Sequence, residues 1–222
     1  MMTLILAESS LELVPPQIRS HISVTAHAKR LGRDPGKILL DTSWHYAAMR
    51  GIKDAERRGR PDIAHVCLQN ACSTPLYLKG HLRICIHTAT GKTIMVGRGV
   101  RLPKAYHRFE GLMSKLLLEG SIEYEGSTLL SLRDLDFAGL IAEIRPSVVV
   151  GLSTLGEKIS LSHLASKLDR DSCVVVGGFQ RGHFAAHIRS DMNAIYCIDE
   201  MPLEAQIVVG RLLYEYEKTV FM

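Results

Sequence analysis

Eight short apolar runs punctuate the chain, with helical patterns between them. The runs are Thr3–Ala7, Lys37–Leu40, Ile63–Leu68, Arg83–His87, Thr93–Val96, Ser147–Leu152, Cys173–Val176 and Ala194–Cys197. Each has the length of a strand, is bounded by turn or polar residues, and is apolar without alternation, as a strand buried on both faces is. Helical spacing is expected over Trp44–Arg57, Lys104–Leu118, Leu132–Glu143, Ser160–Leu168 and Pro202–Lys218. In the last of these, Leu203, Ile207, Gly210/Arg211 and Tyr214 share a stripe, and Pro202 suits a first helical turn. Strands alternating with helices imply an α/β fold with a largely parallel sheet flanked by helices. Two β-rich runs within Leu76–Val96, separated by Thr88–Lys92, read as a small hairpin inserted in that sheet. Arg30–Gly36, with Gly32, Asp34, Pro35 and Gly36, is the candidate mobile loop.

Charge is concentrated in two places. Residues 50–60 hold five Lys/Arg against two acids, and residues 98–108 hold four with no acid, together +7. The whole chain is only +4, so the remainder is net −3. Arginine-rich helix faces are often merely solvated. Two clusters with Gly and Pro set among the arginines point instead to a polyanion, and nucleic acid is the expected partner.

Other classes recede. The five cysteines (Cys67, Cys72, Cys85, Cys173, Cys197) are odd in number and irregular in spacing, with no Cys-x-x-Cys pair. Neither a disulfide framework nor a structural zinc site is expected, and no metal is assigned, although His81 and His87 flank a strand-like run. No apolar run is long enough to span a membrane, and Met1–Glu8 lacks the basic lead of a signal peptide. A cytoplasmic protein is the expectation.

The C-terminal third carries a second signal. The β-branched run Val174–Val176 ends in Gly177-Gly178-Phe179-Gln180-Arg181-Gly182-His183, where backbone can approach a ligand closely. Val148–Ser153 and Ala194–Glu200 are strand ends of the same kind, and ligands gather at the carboxyl ends of strands in open α/β sheets. A Gly-Gly turn alone is more often structural. No P-loop and no Gly-x-Gly-x-x-Gly after an early strand is present, so nucleotide hydrolysis and dinucleotide binding lack their usual marks.

Taken together, Leu40-Asp41-Thr42-Ser43-Trp44-His45, Arg57-Arg58-Gly59-Arg60-Pro61-Asp62-Ile63, Ser73-Thr74-Pro75-Leu76, Arg101-Leu102-Pro103-Lys104-Ala105-Tyr106-His107-Arg108-Phe109, Leu152-Ser153, Gly177-Gly178-Phe179-x-x-Gly182 and Pro202-Leu203-x-Ala205 resemble the SPOUT-class methyltransferases that modify N1 of a pseudouridine in small-subunit ribosomal RNA, an archaeal and eukaryotic ribosome-biogenesis family. The resemblance implies a single SPOUT-type domain over residues 1–222. It also implies a deep trefoil knot at about 147–205, a homodimer, and S-adenosyl-L-methionine as methyl donor. By motif, Leu152, Gly177, Gly182 and the segment Ile198, Asp199, Glu200, Met201, Pro202 and Leu203 carry over as donor-binding positions. Arg60, Asp62, Arg101, Lys104 and Arg108 carry over as RNA-binding positions.

Asp62 is then placed to hold Arg60 by a charge-assisted hydrogen bond, a role preferred over that of general base, and no base is assigned. Pro103 suits a helix start, which would set Lys104 and Arg108 four residues apart on one face. His183 lies near the donor loop but is expected to be an ordinary loop histidine. Two other functions stay open: a non-catalytic RNA-binding assembly factor, working with other ribosome assembly proteins, and a SPOUT methyltransferase acting on another RNA nucleotide.

Overall fold

The computed structural model describes all residues from Met1 to Met222. Met2–Ser9 forms β1, the strand around which the sheet is built, and it is buried almost throughout. It is flanked on one side by β2 (Leu82–Thr88) and on the other by β7 (Cys173–Gly177), both parallel. The sheet continues through β6 (Val149–Lys158) to β8 (Ala194–Cys197), again parallel. On the far side, β3 (Thr93–Val96), β5 (Ser127–Arg133) and β4 (Ser121–Tyr124) add antiparallel strands. The order is β4-β5-β3-β2-β1-β7-β6-β8, so five of the eight strands are parallel.

Strand alternation divides the core. Leu4, Leu6, Ile84, Ile86, Val174 and Val176 point to one face and join a cluster of 33 buried residues. Ile5, Ala7, Cys85, Cys173 and Val175 point to the other and pack against Phe137, Leu140 and Ile188. That is the period-2 geometry of a strand buried on both sides. Helices α3 (Pro61–Cys72), α5 (Tyr106–Glu119), α7 (Leu161–Lys167) and α9 (Ala205–Phe221) cover the first face. Helices α6 (Phe137–Ile144) and α8 (Ala186–Arg189) cover the second. The short helices α1 (Ile22–Leu31), α2 (Thr42–His45) and α4 (Pro75–Leu78) complete the set; α1 and the segment around α2 enclose a third small core of Val14, Ile18, Val24, Ala28, Ile38, Leu40, Ala48 and Met49. All five cysteines are free and buried, and burial pushes the thiols of Cys67, Cys72 and Cys85 up to about 12.

Several expected elements are corrected. Ile63–Leu68 is not a strand but the middle of α3. Pro61 takes the first turn, Asp62 answers the helix dipole, and the buried set Ala64, Cys67, Leu68, Ala71 follows helical spacing. Lys37–Leu40 is buried from Ile38 onward but forms no ladder strand: Pro35–Lys37 is a 3-10 turn with Lys37 exposed, and Leu39 makes one isolated bridge to Leu13. The expected helix Trp44–Arg57 is broken after α2: the chain goes on in turns over 46–51, and Gly51 (φ 89°) and Asp54 (φ 55°) take left-handed backbone before the 3-10 turn Ala55–Arg57. Leu132 and Arg133 finish β5 instead of opening α6, whose start is capped by the Asp136 carboxylate on the Gly139 amide. The β2–β3 hairpin turns at Thr88–Lys92 and is part of the main sheet, whereas its expected start at Leu76 lies in α4.

Candidate functional site

The middle of β6 at Leu152–Thr154, the carboxyl end of β7 and the loop from Ile198 to Glu204 open onto one cleft of about 820 Å³, a size suited to a small-molecule ligand. Its wall holds Leu152, Gly177, Gly182, Ile198, Asp199, Met201, Pro202 and Leu203 from the expected donor positions. It also holds Arg60 and Asp62, expected on the RNA side, with Ile63 and Val66 from the first turns of α3. Glu200 departs from the expectation: it is outside the wall, exposed, and paired with Lys158. Pro202 is likewise not in a first helical turn, since α9 begins at Ala205 and leaves Pro202 in the cleft loop.

The loop after β7 owes its course to close packing. The Gly178 amide donates to the Ala7 carbonyl (2.8 Å), extending the β1–β7 pairing by one residue. A Cβ there would lie 2.1 Å from Ser9 Oγ and 2.9 Å from Ser9 Cα, so only glycine fits without a shift. Gly182 has φ +90°, a conformation that L side chains rarely adopt. Beyond Gly178 the amides of Phe179–Phe184 donate to nothing in the chain, and in the loop 198–204 only the Met201 amide is engaged, by Asp199 (3.1 Å). Free backbone donors thus edge a cleft floored by Leu152, Val176 and Val208. Such a site accepts a flat heterocycle whose edge hydrogen bonds to backbone.

Two side chains with no expected role at this cleft, Arg57 and Glu8, hold the loop. The Arg57 guanidinium donates to the His183 carbonyl (2.8 Å), pairs with Glu8 (3.1 Å) and lies 4.2 Å over the Phe179 ring. Glu8 accepts in turn from the Ala185 amide (3.0 Å). Ser153 Oγ and His183 Nδ1 approach to 3.4 Å inside the cleft.

The two basic clusters differ in kind. Within residues 50–60, Arg57 pairs with Glu8, Arg58 makes two bonds to Glu12 (2.7 and 2.6 Å), and Arg60 makes two to Asp62 (2.8 and 2.7 Å). Three of the five cations there are therefore spent within the molecule. Hydrogen bonding to Asp62 holds the Arg60 guanidinium above its usual range, and both Asp62 oxygens are occupied. In 98–108, by contrast, none of Arg98, Arg101, Lys104 and Arg108 enters an ion pair.

That free segment is docked against the middle of α3. His65 Nε2 lies 2.8 Å from the Pro103 carbonyl, and Gln69 donates to the carbonyls of Pro103 (3.2 Å) and Lys104 (3.1 Å). Tyr77 receives the Val100 amide (3.0 Å) and donates to the Gly97 carbonyl. Tyr106 donates to Asp41, whose neighbour Thr42 bonds the Gly59 carbonyl (2.8 Å) beside Arg60. Burial and the bond to Asp41 keep the Tyr106 phenol protonated far above its ordinary range. These bonds correct one expectation. Because the Pro103 and Lys104 carbonyls turn outward to α3, helix α5 starts only at Tyr106, and Lys104 precedes it. Lys104 and Arg108 are thus not a helical pair.

The sequence matches the EMG1/NEP1 methyltransferase family over residues 4–217. The chain belongs to this family. It is 38% identical over 213 residues to the ribosomal RNA small subunit methyltransferase Nep1 of Staphylothermus marinus, covering 95% of this chain and 93% of that protein. It is 39% identical over 216 residues to the Nep1 of Pyrococcus furiosus, covering 96% and 95%. The crystal structure of Archaeoglobus fulgidus Nep1 bound to S-adenosylhomocysteine superposes with a TM-score of 0.90 at 34% identity, covering 99% of both chains. No helix of the chain is long and apolar enough to cross a membrane.

Proposed function

We propose that this member of the family transfers a methyl group from S-adenosylmethionine to N1 of a pseudouridine in small-subunit ribosomal RNA. The observation that carries the reading is the shared wall: Arg60 and Asp62 line the same cleft as the Gly177–Gly182 loop. A small-molecule pocket with free backbone donors thus shares a wall with the Arg60–Asp62 pair of the arginine motif.

The residues present fit the donor. Leu152, Val176 and Val208 would offer an apolar bed for adenine, and the unbonded amides of 179–184 would be donors for its edges. Asp199 supplies an acidic group in the same wall. When bound, S-adenosylmethionine supplies a methyl group made electrophilic by a sulfonium sulfur. In pseudouridine the ribose is attached through carbon, which leaves N1–H free. N1 gives its proton to solvent water as its electron pair forms the new N–C bond, and the C–S pair stays on sulfur, leaving neutral S-adenosylhomocysteine. The chain contributes position: Asp62 fixes Arg60 with two bonds, and Arg101, Lys104 and Arg108 give cations for phosphates around the target base. With both oxygens of Asp62 engaged, we assign it to orienting Arg60, not to proton removal.

The same reading includes a trefoil knot over about 147–205, a homodimer, and contact with other ribosome assembly proteins. The knot is supported by β8, which pairs with both ends of β6: Tyr196 lies opposite Leu152 and again opposite Glu157. Between them the chain passes so close that a Cβ on Gly156 would sit 2.4 Å from the Ile195 carbonyl oxygen. The homodimer rests on family membership.

The test is transfer of labelled methyl from S-adenosylmethionine to small-subunit ribosomal RNA, followed by nucleoside analysis. Label in N1-methylpseudouridine is expected. Label in a different nucleoside, or RNA binding with no transfer, would overturn the assignment.

A further inference from the structure

We propose that Arg57 is a positioning residue for the methyl donor, although it sits in the basic cluster and outside the cleft wall. The inference rests on the donor-cleft reading above. Composition groups Arg57 with Arg58 and Arg60 as a polyanion contact. Its surroundings assign it elsewhere.

The guanidinium is used on three sides. One terminal nitrogen donates to the His183 carbonyl, the other is buried and ion-pairs with Glu8 at 3.1 Å without a hydrogen bond, and the plane covers the Phe179 ring. The side chain is 24% exposed, leaving little room for a phosphate. A phosphate there would also compete with the Glu8 carboxylate for the same nitrogen. The two residues held, Phe179 and His183, bracket the segment of the donor loop whose amides bond nothing in the chain. Its far end is held by Glu8, which accepts from Ala185. Glu8 is itself fixed: its backbone is left-handed (φ 52°), costly for a residue with a Cβ, and its amide lies 3.3 Å from His87 Nδ1. Arg57 and Glu8 therefore form a clamp that sets the loop where its own backbone does not.

The clamp is also joined to the RNA side. The Arg57 carbonyl accepts from Ser10 Oγ (2.6 Å), and Arg57 stands three residues before Arg60, whose segment is tied by Gly59 to Thr42. A single short segment thus carries the arginine that orients the donor loop and the arginine that faces the acceptor. Donor geometry depends on Arg57 without its touching either ligand.

The experiment compares wild type with Arg57→Lys, Arg57→Met and Glu8→Gln. It measures S-adenosylhomocysteine affinity by calorimetry and RNA-hairpin affinity across a salt series, with the KM values for donor and RNA. The expected result is donor affinity weakened about tenfold or more, within the usual range of couplings between sites, in all three variants. The donor KM rises, the RNA KM holds, and the slope of RNA affinity against salt does not change. Unchanged donor affinity, or a salt slope reduced by about one as loss of a phosphate contact requires, overturns the proposal. Arg57→Lys keeps the charge and loses the fork and the ring stacking, so it carries the test if Arg57→Met does not fold. Wild-type protein that fails to bind S-adenosylhomocysteine overturns the donor-cleft reading, and this inference with it. Wild-type binding with unaffected variants overturns this inference alone.

Discussion

Replacing Gly182 with alanine isolates the donor loop from the rest of the fold. Gly182 holds φ +90° in a loop outside every helix and strand, and a Cβ there meets only Arg57, at 3.3 Å. The cost is therefore chiefly conformational, about 1–2 kcal/mol for an L residue forced into left-handed backbone. Two outcomes are possible. If the loop stayed in place, stability would fall by that amount, which for a chain of this length is a Tm loss of roughly 2–8 °C. The amides of Phe179–Phe184 make no hydrogen bonds, and at Gly182 the loop is held by the Arg57 side chain, which the new Cβ would press on, so the loop relaxes and the cost appears in binding. Affinity for S-adenosylhomocysteine then falls by roughly 5- to 30-fold, since about 1.4 kcal/mol is a factor of ten. Gly182→Val, with a branched Cβ, loses more. Calorimetric titration, a thermal melt and an RNA-hairpin binding curve read the three quantities separately. A Tm loss of several degrees with unchanged donor affinity would refute the reasoning.

Three further outcomes follow from the structure. Arg101→Glu is expected to lose RNA affinity and lower the salt slope by at least about one, with S-adenosylhomocysteine binding intact; unaltered RNA affinity counts against the free basic segment as the RNA face. Tyr106→Phe leaves Asp41 without its buried phenol partner and is expected to cost about 2 kcal/mol, read as a shift in urea midpoint; an unmoved midpoint refutes the brace between α2 and α5. Burial presses the His45 and His87 imidazoles down to about 4 from an ordinary 6.5. The unfolded chain therefore takes up these protons before the native one does. Their contribution to stability is complete above 6.5 and drains away as pH falls toward 4. Thermal melts across that window should show a declining Tm, and a flat profile contradicts it.

The strands of the parallel sheet were legible because they are apolar on both faces, which leaves a run with no alternation to confuse. Ile63–Leu68 defeated the same rule: a short apolar run is equally a strand or the buried stripe of a helix, and Pro61 and Asp62 were the signals that settle it. The β4–β5 hairpin escaped because its strands are half-exposed and polar, yet Glu125-Gly126 had the marks of a two-residue turn with positive φ at both positions (48° and 75°). Around the cleft, the glycine loop and the arginine motifs could be found in the chain. Their convergence could not, since Arg60 and Gly177 are more than a hundred residues apart and meet only through the crossovers of the sheet. Nor could charge alone separate arginines that pair internally from those that stay free. Arg57, Arg58 and Arg60 find Glu8, Glu12 and Asp62, and only Asp62 is close enough in sequence to be read as a partner.

The most direct measurement is methyl transfer from labelled S-adenosylmethionine to two matched small-subunit RNA hairpins, one with pseudouridine and one with uridine at the target position. In uridine N1 carries the ribose and has no proton to give up. Incorporation into the pseudouridine hairpin alone is the predicted result. Equal incorporation into both, or tight binding of both with no transfer, would contradict the account.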